Sequence, residues 1–343
     1  MKIAHLIETL ELGGVMRNLD TLMAHMAGVE HIRYAVNPRR QLPPVIPADQ
    51  LVVIHFTASW SKLPFLAALR AMRGKAPIVI VEHSYTGAYE KFNVPSLARF
   101  HAMMRLVYGF ADRVVAVSHG QGEWLRATGT VDPAKVRVIP SSTYCGGFLD
   151  IAPPPAVRPH GQPLRVGAYG RYHEQKGFGN LVQAMRGLEP GVASLTMAGL
   201  GPYMDRMHAM AAHMPNVTVG GPTSDVAGFL AAHDIIAMPS RWESFGQVAL
   251  EARAAARPII SSAVDGLIEQ TKPAWGWLVE ADDIAGLTAA INEAASADLH
   301  TMGLAARVSS LGHLETSLEA WRTLHRELMP TLPSTATLTP RAA

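Results

Sequence analysis

One cysteine, Cys145, occurs in 343 residues. No disulfide can close within the chain, and this usage fits a reducing compartment. Cys145 itself reads as a small apolar residue. Charged residues are sparse at 17%, and no apolar run approaches the ~18 residues that a membrane-spanning helix needs. The opening MKIAHLIETLELGG is broken by glutamates and lacks the pattern of a secretory signal. A cytoplasmic protein, soluble or peripheral on the inner face of a membrane, is the expectation. Basic tracts and aromatic-interleaved RNA motifs are missing, so nucleic acid is not an expected partner. D-x-D, H-E-x-x-H, zinc-type spacing and G-x-S-x-G are missing too. Metalloenzyme and serine-hydrolase chemistry have nothing to build on, and no metal or cofactor is expected.

What is present is apolar material, 48% of the chain, enough for sizeable cores. The length suits two domains. Short β-branched runs alternate with amphipathic stretches: KIAHLIE, IRYAV, LVVIHF, PIVIVEHS, RVVAVS and VRVIPS, with helical spacing between them. Continuous apolar strands alternating with helices predict an α/β fold with parallel sheets covered on both faces. DIAPPPAVRPHGQP then places five prolines in fourteen residues, which suits neither a helix nor a central strand. The pattern restarts with LRVGAYG, LTMAG, VTVGG, DIIAMPS, PIISS and GWLVE. The division predicted is therefore a first domain over 1–150, a linker over 151–163 and a second domain over 164–313. A helix over 314–329 carries Leu314, Leu318, Trp321 and Leu328 on one face, and a Pro/Thr/Ala-rich tail over 330–343 reads as disordered. Residues 1–150 hold 16 Lys and Arg against 11 Asp and Glu, and residues 151–343 hold 14 against 17. A basic first half suits an acidic acceptor or an anionic membrane surface, although ordinary charge scatter explains it equally well.

Three loops could carry chemistry. Gly13-Gly14 follows a strand and opens a helix, where bare backbone amides approach an anion closely; a plain tight turn would look the same. GAYGRYHEQKG sets Arg171 and Lys176 five residues apart in a loop behind a strand, a pair suited to phosphate oxygens. In PSRWESFGQVALE a helix starting near Gly246 would aim the amides of Phe245, Gly246 and Gln247 at a ligand. Glu243 precedes that helix and Glu251 lies within it, the second able to reach a ribose diol. Singly, such glutamates are commonly a capping acid and a solvated helix residue. His83 ends a strand of the first domain and faces the same cleft, but lone histidines there are more often packing or surface residues.

The ordered set is what carries weight. The Gly13-Gly14 loop, His83, VVAVSHG, VRVIP, YGRYHEQKG, AGLGP, HDIIAMPSRWESFGQVALEA and RPIISSAVDGLIEQ together resemble a family 4 retaining nucleotide-sugar glycosyltransferase with the GT-B fold, two Rossmann-like domains facing a cleft. The resemblance spans nearly the whole chain and is strongest over 164–283. It implies that Gly14, Arg171 and Lys176 bind the diphosphate of a UDP- or GDP-sugar. It assigns Glu243, Phe245, Gly246 and Gln247 to the donor sugar, Glu251 to the ribose, and His83 to the sugar from the opposite side. It further implies metal-free transfer of a hexose-type sugar with retention to a glycan or lipid-linked acceptor, as in surface polysaccharide or lipopolysaccharide synthesis. A sugar-nucleotide epimerase on the same fold is the alternative. Three positions depart from the family's habit: VIPSSTY for I-P-N-G, VMRN after the first glycines, and Val264-Asp265-Gly266 where a Gly-Gly pair is frequent.

Overall fold

The computed structural model describes residues 1–8, 13–159 and 161–329. The tail from Pro330, expected to be disordered, lies outside the described residues.

All twelve predicted strands form, and they build two parallel six-stranded sheets. The first contains β1 (Lys2–Ile7), β2 (Glu30–Ala35), β3 (Leu51–Ile54), β4 (Ile78–Glu82), β5 (Arg113–Ala116) and β6 (Val136–Val138), in the order β2-β1-β3-β4-β5-β6. Its helices are α1 (Gly14–His25), α2 (Leu63–Arg73), α3 (Gly87–Asn93), α4 (Leu97–Gly109) and α5 (His119–Ala127). Strand β3, LVVI, is buried at all four positions, as a central strand covered on both faces must be. Side chains alternate between faces. Val52, Ile54 and Ile80 meet Leu66, Met104 and Val107 from α2 and α4, while Ile3, Val53, Val79 and Val81 meet Leu19 and Leu22 from α1.

The second sheet contains β7 (Leu164–Tyr169), β8 (Ala193–Ala198), β9 (Val217–Gly220), β10 (Ile235–Met238), β11 (Ile259–Ser262) and β12 (Gly276–Val279). Its order is β9-β8-β7-β10-β11-β12, so the chain reverses direction across the sheet between β7 and β10. Loops leaving the carboxyl ends of those two strands diverge and leave a crevice, the usual ligand position of an open parallel sheet. The helices are α6 (Phe178–Arg186), α7 (Met204–Ala211), α8 (Val226–Ala232), α9 (Gln247–Ala254), α10 (Asp265–Gln270), α11 (Ile284–Ser296) and α12 (Leu299–Ser310). Asp283 caps α11 through Gly286 N at 2.9 Å, the role its position before IAGLTAAI predicts.

A last helix, α13 (His313–Leu328), leaves the second domain and packs on the first sheet. Leu318, Trp321 and Leu324 lie buried with Ile3, Leu22 and Met26. Its Glu327 accepts hydrogen bonds from Arg113 at 2.5 Å and Arg137 at 2.6 Å. The stretch 97–110, LARFHAMMRLVYGF, forms α4 with Met103, Met104, Val107 and Tyr108 turned into the core and Leu97, Arg99, Arg105 and Leu106 exposed. Among the described residues no helix is long and apolar enough to cross a membrane.

Candidate active site

The two sheets face each other across a cleft of about 390 Å³. Its walls include Gly13, Gly14, His83, Arg171, Lys176 and Glu243, with Phe245, Gly246 and Gln247 at one end. Eight of the nine residues picked out from the sequence therefore meet in one place; Glu251 does not line it.

The loop after β7 gains its shape from glycine. Gly177 starts α6 with φ of +63°, a left-handed value that suits a residue without Cβ. A Cβ there would lie 1.9 Å from the Pro239 carbonyl oxygen, so the β7 and β10 loops touch backbone to backbone. That approach carries Lys176 to Glu243, with Nζ and Oε2 2.5 Å apart and both side chains mostly buried. Sequence reasoning gave the lysine to phosphate and the glutamate to sugar. In the structure they neutralise each other, as two opposite charges in a partly dehydrated cleft tend to. Arg171 is exposed, and its one side-chain contact among the described residues is a 3.5 Å reach to Gln175 Oε1.

Behind β10, Gly246 caps α9 with φ of +88°, and a Cβ would meet Leu267 at 2.5 Å. The first amides of α9 have no intrahelical acceptor and point into the cleft end of the helix dipole. Gln247 spans the cleft instead of waiting for a ligand: its Nε2 donates to Gly14 O at 2.9 Å and to Ser141 at 3.2 Å. Ser244 likewise donates to the His83 carbonyl at 2.7 Å.

Glu251 lies below the cleft floor and is 2% exposed. Its Oε1 accepts from Arg17 at 2.9 Å and its Oε2 from the Tyr169 hydroxyl at 2.6 Å. Burial raises its pKa, and Arg17 opposes the rise. A ribose could reach this carboxylate only by displacing Arg17, which itself lines the cleft. Glu251 is therefore a buried carboxylate held by Arg17 and Tyr169 and not a solvated helix residue.

On the opposite wall, Glu82 shapes the loop that holds His83. Its carboxylate accepts from the amides of Ser84 and Tyr85, at 2.7 and 2.8 Å, and from Tyr108 at 2.7 Å. His83 in turn ends a row of four histidines. His31 lies 2.9 Å from His5, His5 2.9 Å from His55, and His55 3.1 Å from His83. The register explains the row. His31 pairs with Ile3, His5 with Val53, and Val53 with Val79, so each histidine stands one strand over and two residues further toward the carboxyl ends. A step of two keeps all four on one sheet face, under α1.

Burial lowers these histidines, His5 to about 3 and His31 and His83 to about 4, with His55 also well below normal. Unfolded histidines bind a proton near 6.5, so below that pH the unfolded chain takes up more protons and stability falls on acidification. Glu82, Glu251 and Asp265, raised by burial, act in the opposite sense at the lower end. The row's share is read by difference. From about pH 7 to about pH 5 the thermal midpoint should fall less in His5→Phe than in the parent; an equal or larger fall contradicts it.

Two carboxylates of α10 dock onto the first domain. Asp265 accepts from Ala88 N at 3.0 Å in α3 and from Glu243 N at 3.2 Å in its own domain. Glu269 accepts from His119 N at 2.7 Å at the start of α5. Asp265 stands where a Gly-Gly pair is frequent, and its φ of +40° keeps the glycine-like backbone. The side chain fills the space with an interdomain hydrogen bond. That departure was the sequence's signal for it; Glu82, Arg17 and the outer histidines gave none.

Residues 24–142 match the family described as Glycosyltransferase Family 4, and residues 163–297 the one described as Glycosyl transferases group 1. The chain belongs to the GT-B glycosyltransferases of family 4, its two domains carrying the two signatures in order. Over 189 residues it is 30% identical to the lipopolysaccharide core biosynthesis glycosyltransferase LpsE of Rhizobium meliloti, covering 52% of each chain. Over 181 residues it is 33% identical to the D-inositol 3-phosphate glycosyltransferase of Actinosynnema mirum, covering 46% of this chain and 42% of that one. The matches thus span about half the length of these curated relatives. Anabaena HepE, solved with UDP and glucose, superposes with a TM-score of 0.74 at 16% identity over 96% of this chain and 99% of that one. WaaG, described as involved in lipopolysaccharide biosynthesis, gives 0.67 at 15% identity over 94% and 99%. These likenesses establish the two-domain fold.

Proposed function

We propose that the protein is a retaining, metal-independent glycosyltransferase. It moves a hexose-type sugar from a UDP- or GDP-sugar to a glycan or glycolipid acceptor, in synthesis of a surface polysaccharide or lipopolysaccharide. The observation that carries this reading is the convergence of Arg171, Lys176 and the α9 N-terminus on the crevice between β7 and β10. Breaking a glycosidic bond to a diphosphate builds negative charge on the leaving oxygens. Two cations and a helix dipole at one end of the cleft stabilise that charge as it grows, where such groups contribute most. Glu243, across a 2.5 Å contact from Lys176, is placed to exchange that lysine for sugar hydroxyls when the phosphates draw the lysine away. His83 faces the same space from the first domain.

LpsE and the UDP-bound HepE supply the chemical class of acceptor and donor, by analogy. Retention follows from the family mechanism, in which the acceptor attacks the face that the phosphate leaves and a phosphate oxygen takes the proton.

A thermal-shift series with UDP, GDP and their sugars tests the donor. One nucleotide class should stabilise the protein by about 2.7 kcal/mol at 100 times its dissociation constant. No shift with any uridine or guanosine diphosphate compound would overturn the assignment.

A further inference from the structure

Every contact in the His31–His5–His55–His83 row joins an Nδ1 to an Nε2. The ring nearer the cleft always offers Nε2, and its outer neighbour Nδ1. A neutral imidazole has one N–H and one lone pair. Each contact needs one donor and one acceptor, so the choice at one ring fixes the others. Either all four carry the proton on Nδ1, or all four carry it on Nε2. Burial keeps the rings neutral at ordinary pH.

The ends of the row decide between the two orders. At the outer end, Nε2 of His31 is buried with no hydrogen-bond partner among the described residues. Arg33, two residues along β2 from His31 and opposite His5 in the register, acts electrostatically on both rings and pairs with Asp20. A lone pair is the negative end of an imidazole dipole and is favoured beside a cation, whereas an N–H there would be repelled and unpaired. At the inner end, His83 lines the cleft, and no described residue bonds its Nδ1.

We propose that the row is locked with its protons on Nδ1, so that His83 presents an Nδ1–H donor to the cleft. His55, His5 and His31 act as positioning residues: they touch no ligand and fix the tautomer and the plane of the ring that does. The positive end of the row then faces the region assigned to the anionic donor, and His83 donates to a hydroxyl oxygen of the donor sugar. That last step rests on the transferase reading; the tautomer does not.

Two-bond proton–nitrogen spectra of the full chain, labelled with 15N-histidine and free of ligand, report each ring's tautomer. The Nδ1–H pattern is expected at His5, His31, His55 and His83. An Nε2–H pattern at His83, or a mixture among the four, overturns the proposal. His5→Phe cuts the row and leaves the His55–His83 contact in place. In that variant the Nε2–H tautomer should appear at His83, and kcat for sugar transfer should fall in proportion to the fraction of His83 left in the Nδ1–H form. A lowered thermal midpoint with His83 tautomer and kcat unchanged would reduce the row to a packing role and defeat the positioning claim. Should the variant not fold, the parent spectrum still decides. Should no nucleotide sugar serve as donor, the transferase reading falls while the spectrum decides the tautomer.

Discussion

Lys176→Ala and Arg171→Ala should each lower turnover by two orders of magnitude or more. The figure follows if each cation contributes about 3 kcal/mol to the departing diphosphate. The two variants should differ in everything else. Arg171 is exposed and makes a single 3.5 Å side-chain contact among the described residues, so its removal should leave the fold intact and the thermal midpoint unchanged. Lys176 is mostly buried against Glu243. Truncating it strands a carboxylate in a half-dehydrated cleft, and breaking a buried pair from one side is costly. Lys176→Ala should therefore lose both turnover and thermal stability, and adding Glu243→Gln should restore the stability without the turnover. Parent-like kinetics in both single variants would sink the site assignment.

Gly177→Ala should cost about 3–5 kcal/mol of stability, in the range reserved for overpacking and backbone strain. Two effects combine there. The backbone has φ of +63°, and the new methyl would lie 1.9 Å from the Pro239 carbonyl, which cannot swing aside as a side chain could. Gly129 separates the two: it has φ of +62° and nothing within 4 Å of its would-be Cβ. Gly129→Ala should show only the strain of a left-handed residue, about 1–2 kcal/mol. Urea unfolding of both gives the comparison. Equal losses would mean that the β7 and β10 loops do not rest on that backbone contact. Because the clash pushes Lys176 away from Glu243, Gly177→Ala should also weaken nucleotide-sugar binding more than Gly129→Ala does.

The fold was legible because strands such as LVVI and PIVIVE are β-branched, continuous and bounded by turn residues, which is what burial on both faces of a parallel sheet demands. Cleft loops were legible for a related reason. A glycine behind a strand marks backbone in a special conformation, and Gly177 and Gly246 both have positive φ. Pairings were not legible. Arg17 and Glu251 meet across 234 positions, and Lys176 and Glu243 across 67. Glu251 reads in the sequence as a helix residue free to act, yet two protein groups already hold it. The histidine row hid in plain view. Fifteen histidines look like scatter, and His5, His31, His55 and His83 align only once strand order and register are known.

The path of α13 bears on how the chain is made. β1 leaves the ribosome before every other strand of its sheet, and one of its faces packs against Leu318, Trp321 and Leu324. Until those residues emerge, Ile3 and Ile7 lack part of their cover, although every strand of their own sheet has been synthesised by Val138. Domains otherwise tend to fold in the order they are made. Here the second domain is synthesised while part of the first sheet is still uncovered, and β1 waits for α13.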